Sequence, residues 1–331
     1  MARNVISAIA IMIVIVFSFI IAAPITFLSV GLSSYGKLNK FLTYKYAPIS
    51  PPYLDKLNLY VDIGNIEIQY IDPPVDYDAK IEVSIEMIGP NLIEKNYSDY
   101  FKIVWQNTSG IVNFSMELKA GIDQAEILSL IKNVNIAVAL KADIICDISV
   151  VVNVQGGVKI AVPYGISVGN ILTNISKGNI HYDFSYCILE GNLTGIIQET
   201  GNIELKTYNI EYSQNTTWVL NTGSGDFLIE IFQYTDMNAN VSGTISHDHG
   251  NIRFKYKDDN TDVGAYFTLY YNADDLSLRQ AMNQVIGFNS IPSDEQDIFY
   301  LWSDDYPTKN NYNLLFNNSN GLYLVLDLNN S

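Results

Sequence analysis

A glycine followed by asparagine or aspartate, then apolar residues at every second position, recurs along this 331-residue chain. Gly64-Asn65 precedes Ile66 and Ile68, and Gly178-Asn179 precedes Ile180, Tyr182 and Phe184. Gly201-Asn202 precedes Ile203 and Leu205, Gly225-Asp226 precedes Phe227, Ile229 and Ile231, and Gly250-Asn251 precedes Ile252, Phe254 and Tyr256. Gly321 precedes Leu322, Leu324 and Leu326, with weaker copies at Gly169-Asn170 and Gly191-Asn192. Glycine supplies positive φ without a steric penalty, and asparagine or aspartate tolerates tight turns. Period-two alternation buries one face of a strand and wets the other. A short turn-then-strand unit cannot bury its apolar face alone, but stacked neighbours can. The pattern therefore predicts an all-β protein, an irregular single-stranded β-solenoid-like stack. An antiparallel β-sandwich whose hairpins use the same Gly-Asn turns is the alternative.

The stretch Val158-Lys-Ile-Ala-Val-Pro163-Tyr-Gly-Ile-Ser-Val168 pairs two strands across a proline. The phrases Thr200-Gly-Asn-Ile-Glu-Leu205 and Thr222-Gly-Ser-Gly-Asp-Phe227 read as rungs of one type. In these motifs the chain resembles the putative-adhesin family of unknown function, best over Val158 to Lys257 and more weakly at Ile63 to Tyr70 and Asn313 to Val325. The resemblance implies a β-helix-like stack at a prokaryotic surface. It transfers no catalytic residue.

The amino terminus carries a second constraint. Val5 to Ala23 is uncharged and apolar, and after Pro24 the apolar stretch runs on to Leu32. Nineteen helical residues span roughly 28 Å, about one hydrocarbon core. Cleaved signals have apolar regions of only about 7–15 residues, so residues 1–33 read as an uncleaved transmembrane signal anchor, with a cleaved signal as the alternative. The best later window, Val134 to Val154, is broken by Lys141, Asp143 and Asp147. Arg3 lies before the anchor and Lys37, Lys40 and Lys45 after it, which by charge alone places the bulk inside. Long domains translocate regardless of charge, however. Asn-x-Ser/Thr occurs at Asn96, Asn107, Asn113, Asn174, Asn192, Asn215, Asn240, Asn317 and Asn329, about twice the number expected by chance at this asparagine content. These candidate glycosylation sites favour an extracellular C-terminal domain; an asparagine-rich composition is the competing explanation.

Residues 34–55, with Gly36, Pro48, Pro51 and Pro52, read as a proline-containing stalk. Beyond it the pattern divides into an N-terminal β region with a short helix (56–157), a repeat core (158–262) and a C-terminal region with a helical insertion and last rung (263–331). Asp123 to Lys132 reads as the short helix, capped by Asp123 with Glu126 completing a box. The alternation from Ile136 to Val154 exceeds an ordinary strand and predicts a bend at Lys141-Ala142-Asp143. Asp275 to Ile286 reads as the second helix, stopped by Gly287.

Chemical signals are sparse. The charge of −16 argues against a nucleic-acid partner, which requires a basic footprint. Two cysteines exclude a disulfide-dense scaffold. Cys146 and Cys187 fall in opposite phases of alternation, which argues against a bridge. His247-Asp248-His249 suits a two-histidine site only on a strand, and nearby Gly243 and Gly250 suggest a turn. His181 holds an outward rung position. Asp258 to Asp262 spaces oxygens as a calcium loop does, but Gly264 is misplaced and no closing Glu follows. Asp304-Asp305 and Asp274-Asp275 are similar acidic turns. No nucleophile elbow, phosphate loop or dinucleotide fingerprint is present, and no catalytic, cofactor or metal residue is assigned. Tyr208, Tyr212, Tyr234, Tyr270 and Tyr271 offer amphipathic contact area for sugars or proteins. Together these features predict a non-enzymatic, membrane-anchored surface protein with an adhesive or structural role. Its partners would be the bilayer, through residues 5–32, and a protein or glycan. A carbohydrate-binding or carbohydrate-active β-helix is the alternative.

Overall fold

The computed structural model describes residues 35–51, 53–90, 92–258, 263–271, 288–292, 298–318 and 323–330. The anchor at residues 1–33, the expected helix over Asp275–Ile286, Gly321 and residues 259–262 of the acidic loop lie outside them. No helix among the described residues is long and apolar enough to cross a membrane.

The first part of the chain holds β1 (Tyr35–Tyr46), β2 (Lys56–Ile63), β3 (Asn65–Ile71), β4 (Ala79–Pro90), α1 (Tyr97–Tyr100), β5 (Phe101–Thr108), β6 (Ile111–Leu118), α2 (Gln124–Leu130), β7 (Ile131–Lys141) and β8 (Asp147–Gln155). From β9 (Val158–Val162) the chain follows a fixed rotation. β9, β12 (Ile180–Ser185), β15 (Ile203–Tyr208), β18 (Phe227–Phe232) and β20 (Asn251–Asp258) enter a first sheet of ten strands. The two-residue strands β10 (Ser167–Val168), β13 (Ile188–Leu189) and β16 (Glu211–Tyr212) form a small corner sheet. β11 (Ile171–Lys177), β14 (Leu193–Thr200), β17 (Thr216–Ser224) and β19 (Val241–His249) enter a second sheet of twelve strands. β21 (Gly264–Tyr271), β22 (Phe288–Pro292), β23 (Ile298–Ser303) and β24 (Asn311–Asn318) extend the second sheet, and β25 (Tyr323–Asn330) extends the first.

Pairing through the middle is parallel, so these strands do not form the antiparallel sandwich. Val158 pairs with Ile180, Ile180 with Ile203, Ile203 with Phe227 and Phe227 with Ile252. Each of these five side chains is at most 2% exposed, so every circuit stacks an apolar side chain on the one before. Burying each contributes roughly 1.5–3 kcal/mol. Antiparallel pairs occur at the two ends, as in β1 with β4, β5 with β6 and β21 with β23. Both expected regional boundaries, at 157/158 and 262/263, fall inside continuous sheets, since β3 pairs with β9 and β19 with β24.

The turns at Gly64, Gly156, Gly178, Gly201, Gly225 and Gly250 sit at one corner, before the first sheet, whereas Gly169 and Gly191 precede β11 and β14 of the second. The N–H groups of Gly64, Gly156, Gly178, Gly201 and Gly225 donate to Gln155, Lys177, Thr200, Ser224 and His249 carbonyls at 2.8–3.1 Å. The sheet ladder thus continues around the bend. Gly201 holds φ +153°, and a Cβ there would fall on the carbonyl oxygen of Gly178. The same collision recurs from Gly156 onto Gly64 up to Gly250 onto Gly225. Only hydrogen fits between backbones packed this closely. The residues after the glycines stack too. Asn202 N–H donates to Asn179 Oδ1 (2.9 Å), Asp226 N–H to Asn202 Oδ1 (2.8 Å) and Asn251 N–H to Asp226 Oδ1 (2.9 Å). Each side chain therefore satisfies a backbone donor one circuit on.

Three expectations change. Residues 35–46 are not stalk: they form β1, antiparallel to β4 at the edge of the first sheet. Its lysines are those of a protected edge: Lys37 pairs with Glu86 (2.9 Å), Lys45 with Asp76 (3.1 Å), and Lys40 lies over the Tyr97 ring. The helix near residue 123 is α2, capped by one bond from Ala125 N–H to Asp123 Oδ1 (2.9 Å); the capping box forms instead at α1, between Asn96 and Asp99. Cys187 is buried like Cys146, not outward. Tyr186 at φ +51° resets the alternation just before it. Both cysteines are free thiols, and burial pushes each pKa up to about 12. The long alternation does bend, between β7 and β8.

The glycine corner yields a direct contrast. Gly201→Ala adds backbone strain of about 1–3 kcal/mol to a collision with backbone. Gly165 also has positive φ (+75°), but nothing lies within 4 Å of its added Cβ. Urea unfolding of the two variants should show Gly201→Ala as much the more destabilised, with Gly165→Ala losing only about 1–2 kcal/mol. Equal losses would mean that the glycines serve φ alone and not the close approach.

Candidate contact surface

The opposite edge of the first sheet, where its strands end and the chain turns to the corner sheet, carries a column of rings. Tyr164 and Tyr186 are 5.9 Å apart between centroids, Tyr186 and Tyr208 4.9 Å, Tyr208 and Tyr234 5.6 Å, and Tyr208 and Phe232 5.9 Å. These separations follow the spacing of stacked strands, roughly 4.8 Å, because each ring comes from a successive circuit. Tyr164 is 79% exposed, Tyr186 44% and Tyr208 36%. Lys255 Nζ lies 5.3 Å from the Phe232 ring centre and caps the column with a cation. The Tyr186 hydroxyl beside Tyr208, and then burial, raise the Tyr208 phenol above its ordinary pKa.

Tyr186 occupies the left-handed region, where a non-glycine residue costs roughly 1–2 kcal/mol. The Gly165 N–H donates to the Tyr186 carbonyl (2.9 Å), so the equivalent corner one circuit earlier is turned by glycine. A bulky aromatic kept where glycine serves is strain stored at a surface ring.

The two large sheets present different outer faces. On the first, Glu67 neighbours Lys159, Lys159 neighbours His181 and His181 neighbours Glu204. A second row reads Asp183, Lys206, Glu230, Lys255 and Asp327 across successive strands. Opposite charges meet along and between these rows, Lys159–Glu67 at 2.8 Å and Lys206–Glu204 at 2.7 Å, and the His181 ring is hydrogen-bonded to Glu204 at 2.9 Å. Lys206, and secondarily His181, hold the Glu204 carboxyl below its ordinary pKa, and Lys177 does the same for Glu199. On the second sheet the corresponding rows are Ser149–Leu172–Thr194–Val219–Thr244–Leu315 and Val151–Asn174–Ile196–Asn221–Ser246–Asn317. Neither contains a charge.

The expected site residues are redistributed. Tyr208 and Tyr234 join the ring column, whereas Tyr212 is fully buried and its hydroxyl meets that of Tyr312 at 3.2 Å. Asn209 at φ +48° turns the chain and resets the phase before Tyr212. Tyr270 is half-buried on β21, and the Tyr271 side chain lies outside the described set. Tyr164 and Tyr186 were missed; the only signal was a tyrosine at comparable places in successive repeats. His247 and His249 belong to β19, not to a turn. His247 is buried near the Phe227 ring and His249 is exposed at the corner, so they share no open face. His181 is half-buried within the charged rows rather than free in solvent. Asp258 is buried and accepts from the Tyr256 hydroxyl at 2.8 Å. Among the described residues, no three His, Cys, Asp or Glu side chains are grouped as a metal would need.

Two shallow depressions lie at the Gly-Asn corner, away from the rings. One, of about 270 Å³, is lined by Asn202, Glu204, Asp226, Asn251 and Arg253 among others. The other, of about 400 Å³, is lined by Glu67, Lys159 and His181 with the corner asparagines. Neither carries an exposed aromatic wall.

Seven of the Asn-x-Ser/Thr asparagines lie on the second sheet or on the corner leading into it. Asn107, Asn113, Asn174 and Asn317 are on β5, β6, β11 and β24; Asn192, Asn215 and Asn240 precede β14, β17 and β19. Asn96 caps α1 and Asn329 lies on β25.

No family model matches the chain, and no curated protein matches it. Solved structures similar to it include a "putative cell adhesion protein" from Clostridium sporogenes, with 11% identity, 87% of this chain and 99% of that one covered, and a TM-score of 0.33. A "putative adhesin" from Bacteroides fragilis has 10% identity, 88% and 96% coverage and a TM-score of 0.32. A "putative lipid binding protein" from Parabacteroides distasonis has 14% identity, 67% and 91% coverage and a TM-score of 0.29. Likenesses this distant assign neither a site nor a ligand to this chain.

The charged rows predict a specific acid response. The folded-state pKa of Glu204 is depressed. Its contribution to stability is therefore present above the unfolded carboxylate value of about 4.3 and is lost as pH falls through the lower folded value. Melting temperatures measured from about pH 6 downward should fall less steeply for Glu204→Gln than for the parent protein across that window. Identical slopes would show that the bonds to Lys206 and His181 add no net stability.

Proposed function

We propose that this chain is a membrane-anchored cell-surface protein with an adhesive role, and that it meets a glycan along the tyrosine column without catalysing a reaction. Residues 5–32 are the anchor, the β domain stands outside, and the winding is of the β-solenoid kind that the family resemblance implies. The observation that carries the contact site is Tyr186: an exposed ring is retained at a backbone position better suited to glycine. Tyrosine offers a sugar both an apolar face for its C–H groups and a hydroxyl for its polar edge. A column of such rings at circuit spacing presents a repeating surface to a repeating ligand.

The placement of the carboxylates favours binding over hydrolysis. A glycosidase acid is kept protonated by a raised pKa and faces a second carboxylate across the sugar. Here Glu204, Glu199 and Glu86 are each held low by lysine partners. The depressions that contain acids are separated from the rings by the width of the first sheet.

Glycan-array binding of a fragment beginning upstream of β1, since β1 belongs to the fold, tests this reading. Tyr186→Gly relieves the left-handed strain as it removes the ring, and Tyr208→Ala removes its neighbour. Two lost ring contacts at roughly 0.5–1.5 kcal/mol each weaken binding about ten- to a hundredfold, while Tyr186→Gly alone leaves the melting temperature nearly unchanged. Glycan binding that survives both substitutions would remove the column as the contact site.

A further inference from the structure

The chain has two asparagine ladders of the same geometry, and they differ in one respect. At the corner before the first sheet, Asn65, Asn179, Asn202 and Asn251 are followed two residues on by Glu67, His181, Glu204 and Arg253. At the corner before the second sheet, Asn192, Asn215 and Asn240 are followed by Thr194, Thr217 and Ser242. The residue two after a ladder asparagine is the first outward side chain of the strand. Asn170, whose Oδ1 accepts from Asn192 N–H (2.9 Å), begins the second ladder and is followed by Leu172; its next three members lead into hydroxyls, whereas those four members of the first lead into ionisable side chains.

Asn192, Asn215 and Asn240 also leave their amide nitrogens available. Asn192 Oδ1 accepts from Thr217 N–H (2.9 Å), Asn215 Oδ1 from Asn240 N–H (3.0 Å) and Asn240 Oδ1 from Asn311 N–H (3.0 Å). All three side chains are exposed, and among the described residues none donates a hydrogen bond through Nδ2. Asn113 and Asn174 behave alike: their oxygens accept from Asn58 and Gln198. Asn170 and Asn251 donate Nδ2 to Asp147 (3.1 Å) and Asp226 (2.8 Å), whereas Asn65, Asn179 and Asn202 of the first ladder accept through Oδ1 in the same way as the second; what separates Asn192, Asn215 and Asn240 is the hydroxyl two residues on. A carbonyl oxygen fixed by a backbone donor aims its amide nitrogen away from the protein.

We infer that the second sheet, where two outward rows carry no charge, is a glycan-bearing face, N-glycosylated at the Asn192, Asn215 and Asn240 ladder and at Asn113 and Asn174, while the ion-paired face of the first sheet and the tyrosine column stay bare. The reaction joins Asn Nδ2 to the anomeric carbon of a lipid-diphosphate-linked oligosaccharide. An N–C bond forms, the anomeric C–O bond breaks, the lipid diphosphate leaves, and the amide gives up one proton. The location has a physical use. Leu172 and Val219 are 40% and 39% exposed in a row that carries no charge, the kind of surface that invites association between copies. Neutral, bulky, hydrated sugars shield it without disturbing the ion pairs opposite. This inference rests on the surface location proposed above.

The test uses the full-length protein purified from membranes of its source cells, with peptides mapped by mass spectrometry. Peptides containing Asn192, Asn215 and Asn240 should carry hexose-containing additions, and the Asn329 peptide should not. Thr194→Val and Thr217→Val keep the ladder asparagines and the backbone donors, so each should abolish the addition at its own asparagine without lowering the melting temperature. Protease added to intact cells separates the two readings. Digestion of the β domain with all ladder peptides unmodified would overturn the glycan face and leave the surface location standing. Full protection would overturn both. Additions at Asn329 equal to those at the ladder would overturn the one-sided arrangement.

Discussion

Backbone amides that keep their sheet partners while the chain bends hold this protein together. At the glycine corner the donors of Gly64, Gly156, Gly178, Gly201 and Gly225 reach carbonyls one circuit away, so the ladder does not end where the strand does. An unpaired amide at each bend would leave an unsatisfied polar group beside the core. The solution demands backbones too close for any Cβ, and asparagine or aspartate side chains then satisfy the next donor. Once the corner is fixed, the register is fixed. A slip of one residue would turn every Ile203-type side chain to solvent and every Glu204-type side chain inward.

That register sorts chemistry by face. Outward positions of successive circuits stand side by side, so a residue type repeated in sequence becomes a row in space. Alternating acids and lysines become the ion-paired rows of the first sheet, and hydroxyl, amide and aliphatic side chains become two uncharged rows of the second. Tyrosines at the turn become a column of rings. Surface pairs of this kind add little stability singly; their effect is to make one face strongly polar. The ladder asparagines Asn192, Asn215 and Asn240 that enter the second sheet are each followed two residues on by a hydroxyl.

The parts legible in the sequence are those encoded locally. Gly201-Asn202-Ile203-Glu204 states a turn, a phase and a burial pattern in four residues, and all-β stacking follows from its repetition. β1 was hidden because its partner β4 lies in a later segment, and because Gly36 and three lysines resemble a solvated stalk when the partner is unseen. Gly156 lacks the following asparagine and escaped notice, although it carries the same collision with its neighbour as Gly201 does. Errors of phase had one cause: single residues in the left-handed region, Tyr186 and Asn209, shift the alternation by one. They turn Cys187 and Tyr212 inward. The ring column was half legible: Tyr208 and Tyr234 were singled out, whereas Tyr164 and Tyr186, evenly spaced before Tyr208, were not.

Amide hydrogen exchange tests the central claim most directly. If the sheet ladder runs unbroken through the glycine corner, the amides of Gly156, Gly178, Gly201 and Gly225 should exchange as slowly as mid-strand amides such as those of Ile180 and Leu205. Corner amides that exchange at the rate of exposed loops, while the strand amides stay protected, would contradict it. The sheets would then be joined by ordinary turns, and the glycines would not be the element on which the stack depends.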